Sequence, residues 1–466
     1  MNTPNAIDSI KQFAQLLFLR PRRFFVFIFV LCGLPLILLI PPFQAPDEDA
    51  HFYRAYQISE GQFLAAKLSE GAGGRLPASL ELSHKIARSA FDPKVPNSNY
   101  DFVAKTREQV SIPLNPEVRK PLVFSGSAIY SPVAYIPQAV GIALGRLFNA
   151  PPVLLLYLGR ICNALAFLLL ALLALRFIPV GKWLMGFVLL LPMSLFLVAS
   201  QSADALTLGV VSFFVALVTY AARRSDPLPK RYWLMLGATV VGLALCKQAF
   251  FVLLPLIFAM LLTKDLTPSE RKRRLLRNIA ILAMAGAAVL LWLYLTKHIS
   301  VLKGDPINAT QQLSFIMHHP RAYGVVVWQT FAEFGANYLE GFIGILGWLD
   351  VYLPDWLVIA FWLVLVASLG IDRLEQKSLN RGQKVIFGSV ASAQVLVIIT
   401  ALYLSWTPVT NPVVLGVQGR YFLPVGLTLV PAVAGSLRWR LPLWLINASF
   451  LLLSVITLLV ILKTYY

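Results

Sequence analysis

The chain has 466 residues, of which 58% are hydrophobic and 13% charged, and its mean hydropathy is +0.71. Soluble proteins carry about 25% charged residues, so this composition excludes an ordinary soluble protein and predicts an all-α polytopic membrane protein. The net charge of +18 would suit a nucleic-acid-binding protein unless the topology of the chain explains the excess of basic residues.

Apolar segments recur along the chain and predict about 11 transmembrane helices. The first follows several basic residues, and no small-residue cleavage site comes after it, so we interpret it as an uncleaved anchor. The predicted spans cover residues 24–40, 153–175, 183–199, 205–221, 232–246, 249–262, 278–296, 356–371, 385–404, 421–436 and 441–462.

The basic residues are concentrated in the links on one side of this predicted topology. With the N-terminus in the cytoplasm, the cytoplasmic links hold 22 of the 40 Lys and Arg residues but only 6 of the 22 acids. Cytoplasmic loops of membrane proteins characteristically carry such an excess. The charge therefore indicates a multi-pass protein with a cytoplasmic N-terminus, in contact with the lipid bilayer. We expect no nucleic-acid partner.

Two large extracytoplasmic segments belong to what we predict to be a single integral membrane domain over residues 1–466. The first, residues 41–152, contains predicted helices at 46–60 and 80–90. It also holds an apolar stretch at 130–148 that prolines interrupt, which is typical of an interfacial or re-entrant element. The second, residues 297–355, includes an amphipathic stretch at 323–346 that could lie along the membrane surface.

The run Asp47-Glu48-Asp49-Ala50-His51 begins just after the first predicted span. Acids in a first helical turn can simply favour the helix dipole, but this does not explain the histidine. Asp47 and His51 are four residues apart and share one face of a helix, with Arg54 nearby. A carboxylate there can accept a proton from a hydroxyl, and Asp47 with His51 could hold a divalent cation. We identify Asp47, Glu48, Asp49 and His51 as candidate catalytic residues.

Other polar residues lie at the outer ends of predicted spans and are candidates for substrate binding. Asp204 occupies a very short outer turn, and Lys247 lies between two short spans. Arg420 precedes an apolar segment, and its planar guanidinium can bind a phosphate with two parallel hydrogen bonds. Each cation could instead simply extend towards water from the membrane boundary. The full set of candidate substrate-binding residues is Arg54, Asp204, Lys247, Gln418, Arg420 and Tyr421.

Five motifs together resemble a known family. They are PFQAPDEDAHFYRAYQISEG after the first span, the QSADA turn, CKQAFF, GWLD and the closing GVQGRYFLP. The chain resembles the bacterial membrane proteins grouped as domain of unknown function 2142 over nearly its whole length. That family is in turn similar to the GT-C glycosyltransferases, such as the aminoarabinose transferases of lipid A and the protein mannosyltransferases.

The resemblance implies a GT-C-like fold in a bacterial inner membrane with an extracytoplasmic active site. GT-C enzymes carry an acidic pair in the first outer loop and take a sugar from a polyprenyl phosphate. Asp47 would match the catalytic acid, although Asp49, standing where the family usually has a small residue or proline, is an alternative base. The implied partners are a polyprenyl-phosphate-linked sugar donor and a surface glycan or lipid acceptor. A transporter or flippase of a lipid-linked glycan is the alternative function.

Overall fold

The computed structural model of the protein describes residues 18–89, 102–299, 307–371, 378–437 and 441–466. Most of these residues are helical. The helices are α1 Pro21–Leu39, α2 Glu48–Ser59, α3 Ala78–Ser89, α4 Phe102–Val110, α5 Ser125–Ala128, α6 Ile136–Arg146, α7 Pro152–Phe177, α8 Lys182–Leu189, α9 Pro192–Val198, α10 Ala203–Ala222, α11 Lys230–Cys246, α12 Pro268–Thr296, α13 Ala309–His318, α14 Pro320–Gly344, α15 Asp355–Ser368, α16 Arg381–Ser405, α17 Leu423–Val433 and α18 Leu443–Tyr465.

Six of the described helices are long and apolar enough to cross a membrane: α1, α7, α10, α12, α16 and α18. Three shorter apolar helical segments accompany them, at Gln248–Leu262, Asp355–Ser368 and Gly419–Val433. A helix of about 20 residues covers a hydrocarbon core of about 30 Å. The prediction of an α-helical membrane protein is therefore confirmed.

Helix α10 lies at the centre of the packed helices. Its residues are almost all buried, and it packs against α7, α11 and α17. By contrast, α12 buries few residues and presents its apolar side chains outward. The side chains of α10 are removed from solvent by neighbouring helices, whereas the exposed apolar surface of α12 requires lipid around it.

Several predicted segments are interrupted in the structure. The predicted span at 183–199 is split into α8 and α9, because Pro192 has no amide hydrogen to continue the helix. The segment after α11 is a 3-10 helix, Gln248–Leu262, and Lys247 between the two is extended. Within α1, residues Phe29–Gly33 form a π-helical turn.

Residues 41–152, which we predict to be an outer segment, contain strands that the sequence did not predict. Strands β1 (Ala66–Leu68), β2 (Gly71–Pro77) and β3 (Arg119–Val123) form an antiparallel sheet in the order β1-β2-β3. The predicted helix at 80–90 is α3, whose final predicted residue, Ala90, lies outside the described residues. A second small hairpin pairs β4 (Ile345–Leu346) with β5 (Val351–Tyr352).

Two predicted outer elements are helices of different lengths. A short 3-10 turn, Pro132–Tyr135, leads into α6, which is 11 residues long and covers only about 16 Å. Helix α6 is therefore too short to span a bilayer. The amphipathic stretch predicted at 323–346 is α14, a helix of 25 residues.

Candidate functional site

The three consecutive acids at the start of α2 point into three different surroundings. Asp47 lies at the N-cap with φ of 58°, in the left-handed region, and its side chain is 65% exposed. Glu48, the first helical residue, is completely buried. Asp49 is partly exposed and faces α3. The helix starts at Glu48 and not at Pro46, so the predicted first helical turn is wrong by two residues.

Glu48 forms a buried ion pair with Arg160 of α7. The Arg160 guanidinium donates from Nε to Glu48 Oε1 at 2.8 Å and from a terminal nitrogen to Oε2 at 2.6 Å. The backbone amides of Phe43 and Gln201 donate to the same carboxylate at 2.9 and 3.0 Å. Both charged side chains are 0% exposed. Glu48 therefore has no free face for a substrate, which favours a structural role over the predicted catalytic one.

Asp204 and Lys247 form a second ion pair beside the first. Ser202 caps α10 by accepting from the Asp204 amide at 3.1 Å, which places Asp204 in the first turn. The Lys247 ammonium binds the Asp204 carboxylate directly and lies 5.6 Å from the centre of the Tyr130 ring. Each of the two charged side chains is 16% exposed. This pair is therefore less enclosed than that of Glu48 and Arg160.

Arg420 approaches the same region from the end of the chain. It lies in a 3-10 turn, Gly419–Phe422, and its guanidinium is 4.0 Å from the Asp47 carboxylate. The Nε of Arg420 is buried and has no hydrogen-bond partner. Gly419 packs on the backbone of α14, and a Cβ at this position would stand 2.4 Å from the carbonyl carbon of Gly341. A glycine is therefore needed for the turn that presents Arg420.

His51 lies near enough to these charged groups for each of them to act on its ring. Its Nδ1 is 2.7 Å from the Tyr135 hydroxyl, which belongs to the turn before α6. Burial lowers the pKa of His51 to about 4, an effect opposed by the carboxylates of Asp204 and Asp47 and reinforced by Lys247 and Arg420. The imidazole is therefore neutral at pH 7. The electrostatic influence of all four charges on one ring means that the structure brings these sequence candidates together.

Asp49 faces a separate group of side chains. Its carboxylate is 3.8 Å from the His84 ring of α3, and the Tyr53 hydroxyl is 3.3 Å from the same ring. Burial lowers the pKa of His84, while Asp49 opposes this effect. Asp47 and Asp49 are thus not interchangeable: of the two, Asp47 is the one that adjoins the Arg420 guanidinium.

The remaining candidates are Arg54, Tyr421 and Gln418. Arg54 is buried and donates to Gln57 and to the carbonyls of Phe63 and Tyr130, and burial lowers its pKa to about 10. The Tyr421 ring lies 5.4 Å from the Arg420 guanidinium. The Gln418 carbonyl accepts from the Tyr421 amide, and its side-chain oxygen is buried without a partner.

Sequence reasoning missed Tyr130 and Tyr135, and it missed that Arg160 is the partner of Glu48. A charge in the middle of an apolar helix is the signal that points to Arg160, because such a charge needs a partner. No comparable signal identifies the tyrosines. Among the residues that the structure describes, no group of three or more His, Cys, Asp or Glu side chains could hold a metal ion. The expectation that Asp47 and His51 could hold a divalent cation stays a prediction.

The apolar helices and the charged cluster at their ends define an α-helical integral membrane protein with a polar site. The chain belongs to the family of predicted membrane proteins called DUF2142, whose model matches residues 29–429. The resemblance to this family is thereby confirmed. No curated protein and no solved structure matches the chain.

Proposed function

We propose that the protein is a membrane glycosyltransferase. It would move a sugar from a polyprenyl-phosphate-linked donor to a hydroxyl of a surface glycan or lipid on the extracytoplasmic side. The observation that carries this proposal is the position of Asp47. Its carboxylate is exposed and lies 4.0 Å from a buried arginine, so a proton acceptor stands beside a group that can hold a phosphate.

The cations of the cluster support a phosphate in this place. Arg420 keeps a buried Nε without a partner, and an anion would satisfy it. Lys247 already binds Asp204, so a phosphate would compete with that carboxylate. Before the donor enters, the two carboxylates of Asp47 and Asp204 balance the two cations. A phosphate that binds here therefore has to displace at least one of these carboxylates from its cation.

The proposed reaction has a simple balance. The acceptor oxygen forms a bond to the anomeric carbon, and the bond from that carbon to the donor phosphate oxygen breaks. The hydroxyl proton passes to Asp47, and the bonding electrons leave with the phosphate. Arg420 and Lys247 would stabilise the charge that develops on the leaving group. Neutral His51 can act through hydrogen bonds without adding charge.

The topology is part of the proposal. We propose eleven membrane spans in a GT-C-like arrangement, with a cytoplasmic N-terminus in a bacterial inner membrane. The support is the excess of Lys and Arg in alternate links and the helical structure found at the predicted apolar segments. The charged cluster then lies on the extracytoplasmic side, where lipid-linked donors and surface acceptors meet.

The test is Asp47→Asn in cells that depend on this protein for their surface glycan. Asparagine keeps the size of the side chain and tolerates the left-handed backbone, but it cannot accept the proton. We expect the variant protein to insert normally into the membrane. Mass spectrometry of the surface glycan should show that the sugar is missing. Asp49→Asn is the matched control and should retain modification. If the glycan is modified normally in both variants, Asp47 is not the base. Accumulation of a lipid-linked glycan in the inner leaflet would favour a flippase.

A further inference from the structure

The segment between α1 and α2 carries two residues in a backbone conformation that is costly for them. Phe43 has φ of 63° and Asp47 has φ of 58°, both in the left-handed region. For a residue other than glycine this region costs about 1 kcal/mol or more, so surrounding contacts must hold it. Glu48 and Arg160 supply several of the bonds that hold this segment, beside the bond that the Trp348 indole donates to the Phe43 carbonyl.

Arg160 fastens the end of α1 to the middle of α7. It donates to the carbonyls of Ile37 at 3.0 Å, Ile40 at 2.7 Å and Pro41 at 3.2 Å. Carbonyls in the last turn of a helix have no partner within the helix, so the bonds to Ile37 and Ile40 satisfy groups at the end of α1 that the helix itself leaves unpaired. The guanidinium thus fixes where the segment that leads to Asp47 begins.

Glu48 fastens the other end of the segment and also reaches a second element. It accepts from the Phe43 amide, which holds one of the two left-handed residues. It also accepts from the amide of Gln201, three residues before Asp204. One carboxylate therefore connects the backbone on both sides of Asp47 with the turn that carries Asp204.

We infer that Glu48 and Arg160 are positioning residues that hold Asp47 and Asp204 in a fixed relation around His51. An ion pair alone would not do this, because the two backbone amides need an acceptor. The carboxylate must therefore stand at position 48 and the guanidinium at position 160. This inference rests on the proposed function only in taking Asp47 as the base; the geometry that it describes does not depend on glycosyl transfer.

Exchanging the two charges separates a positioning role from a generic ion pair. The double variant Glu48→Arg with Arg160→Glu keeps the opposite charges but offers no acceptor to the Phe43 and Gln201 amides. Glu48→Gln keeps the size of the side chain and loses the charge. The matched control is Glu270→Gln, which removes a different buried carboxylate that pairs with Arg274 in α12.

The measurement is the ¹⁵N spectrum of histidine-labelled protein in detergent at pH 7.5, with the His51 signals assigned by their loss in His51→Gln. We expect the ring signals of His51 to shift in the charge exchange and in Glu48→Gln, and to stay unchanged in Glu270→Gln. Glu270→Gln should lower the melting temperature without this spectral change.

Unchanged His51 signals in the charge exchange would overturn the inference, and so would unchanged signals in Glu48→Gln if the exchange does not fold. The spectrum does not require transferase activity. Shifted signals together with a fully active Asp47→Asn variant would therefore reject the proposed function while leaving the positioning role in place.

Discussion

Two ion pairs lie next to each other in this protein, and they differ in how completely their charges are satisfied. Glu48 and Arg160 are both 0% exposed, and the carboxylate receives four hydrogen bonds. Asp204 and Lys247 are each 16% exposed. The first pair has no capacity left for a ligand, whereas the second can exchange partners. We call Glu48–Arg160 the closed pair and Asp204–Lys247 the open pair. The turn that contains Gln201 and Asp204 contacts both pairs, so the closed pair also holds the backbone that carries the open pair.

Breaking the closed pair should have the largest effect on stability. Arg160→Ala leaves the Glu48 carboxylate buried without its cation, and breaking a buried pair in this way costs about 3–5 kcal/mol. Unfolding followed by circular dichroism in detergent would measure the loss. Arg273→Ala is the control, because the Arg273 side chain is 56% exposed where it pairs with Glu270, and ion pairs with an exposed partner contribute about 1 kcal/mol or less. Similar losses in the two variants would mean that the closed pair is not special.

Changing each member of the open pair should have opposite effects on phosphate binding. Lys247→Met removes a cation, and we expect roughly tenfold weaker binding of a short-chain prenyl phosphate, because hydrogen bonds to charged groups contribute about 1.5–3 kcal/mol. Asp204→Asn removes the competing carboxylate and should strengthen binding. Calorimetric titration of the purified protein would measure both, with Lys297→Met as a control outside the cluster. A change of the same sign in both variants would contradict the competition.

The effect that is smallest at neutral pH is an acid-dependent loss of stability caused by His51. Its pKa is lowered to about 4 in the folded protein, compared with about 6.5 in an unfolded chain. The unfolded chain therefore binds a proton that the folded one does not as the pH falls below about 6.5. Stability should decrease from there until about pH 4, and His51→Gln should decrease less over this range. The groups acting on the ring are Asp204, Lys247, Asp47 and Arg420. Equal slopes for wild type and variant would show that another group causes the loss.

The sequence was sufficient to predict the class of fold and the candidate residues around Asp47 and Arg420. Apolar length and the asymmetry of Lys and Arg predict spanning helices, because the bilayer imposes both. The motif around Asp47 and the turn at Arg420 come from opposite ends of the chain, and only the packing of α14 against Gly419 shows how Arg420 reaches Asp47. The short strands were missed because β2 is rich in glycine and has no alternating pattern.

The different surroundings of Asp47, Glu48 and Asp49 could not be read from their order. Neighbouring residues on a helix point about 100° apart, but which direction is buried depends on α7 and α3. Glu48 becomes structural only because Arg160 stands opposite it in α7. The sequence shows which residues are charged, but tertiary contacts decide whether a charged side chain is free to bind a ligand.

The 3-10 winding of Gln248–Leu262 sets how far this part of the chain reaches. At about 2.0 Å per residue, its 15 residues extend about 30 Å, whereas an α-helix of the same length would extend about 22 Å. That longer reach equals the thickness of a hydrocarbon core. A 3-10 segment therefore needs only about three quarters of the residues that an α-helix needs to cover the same distance.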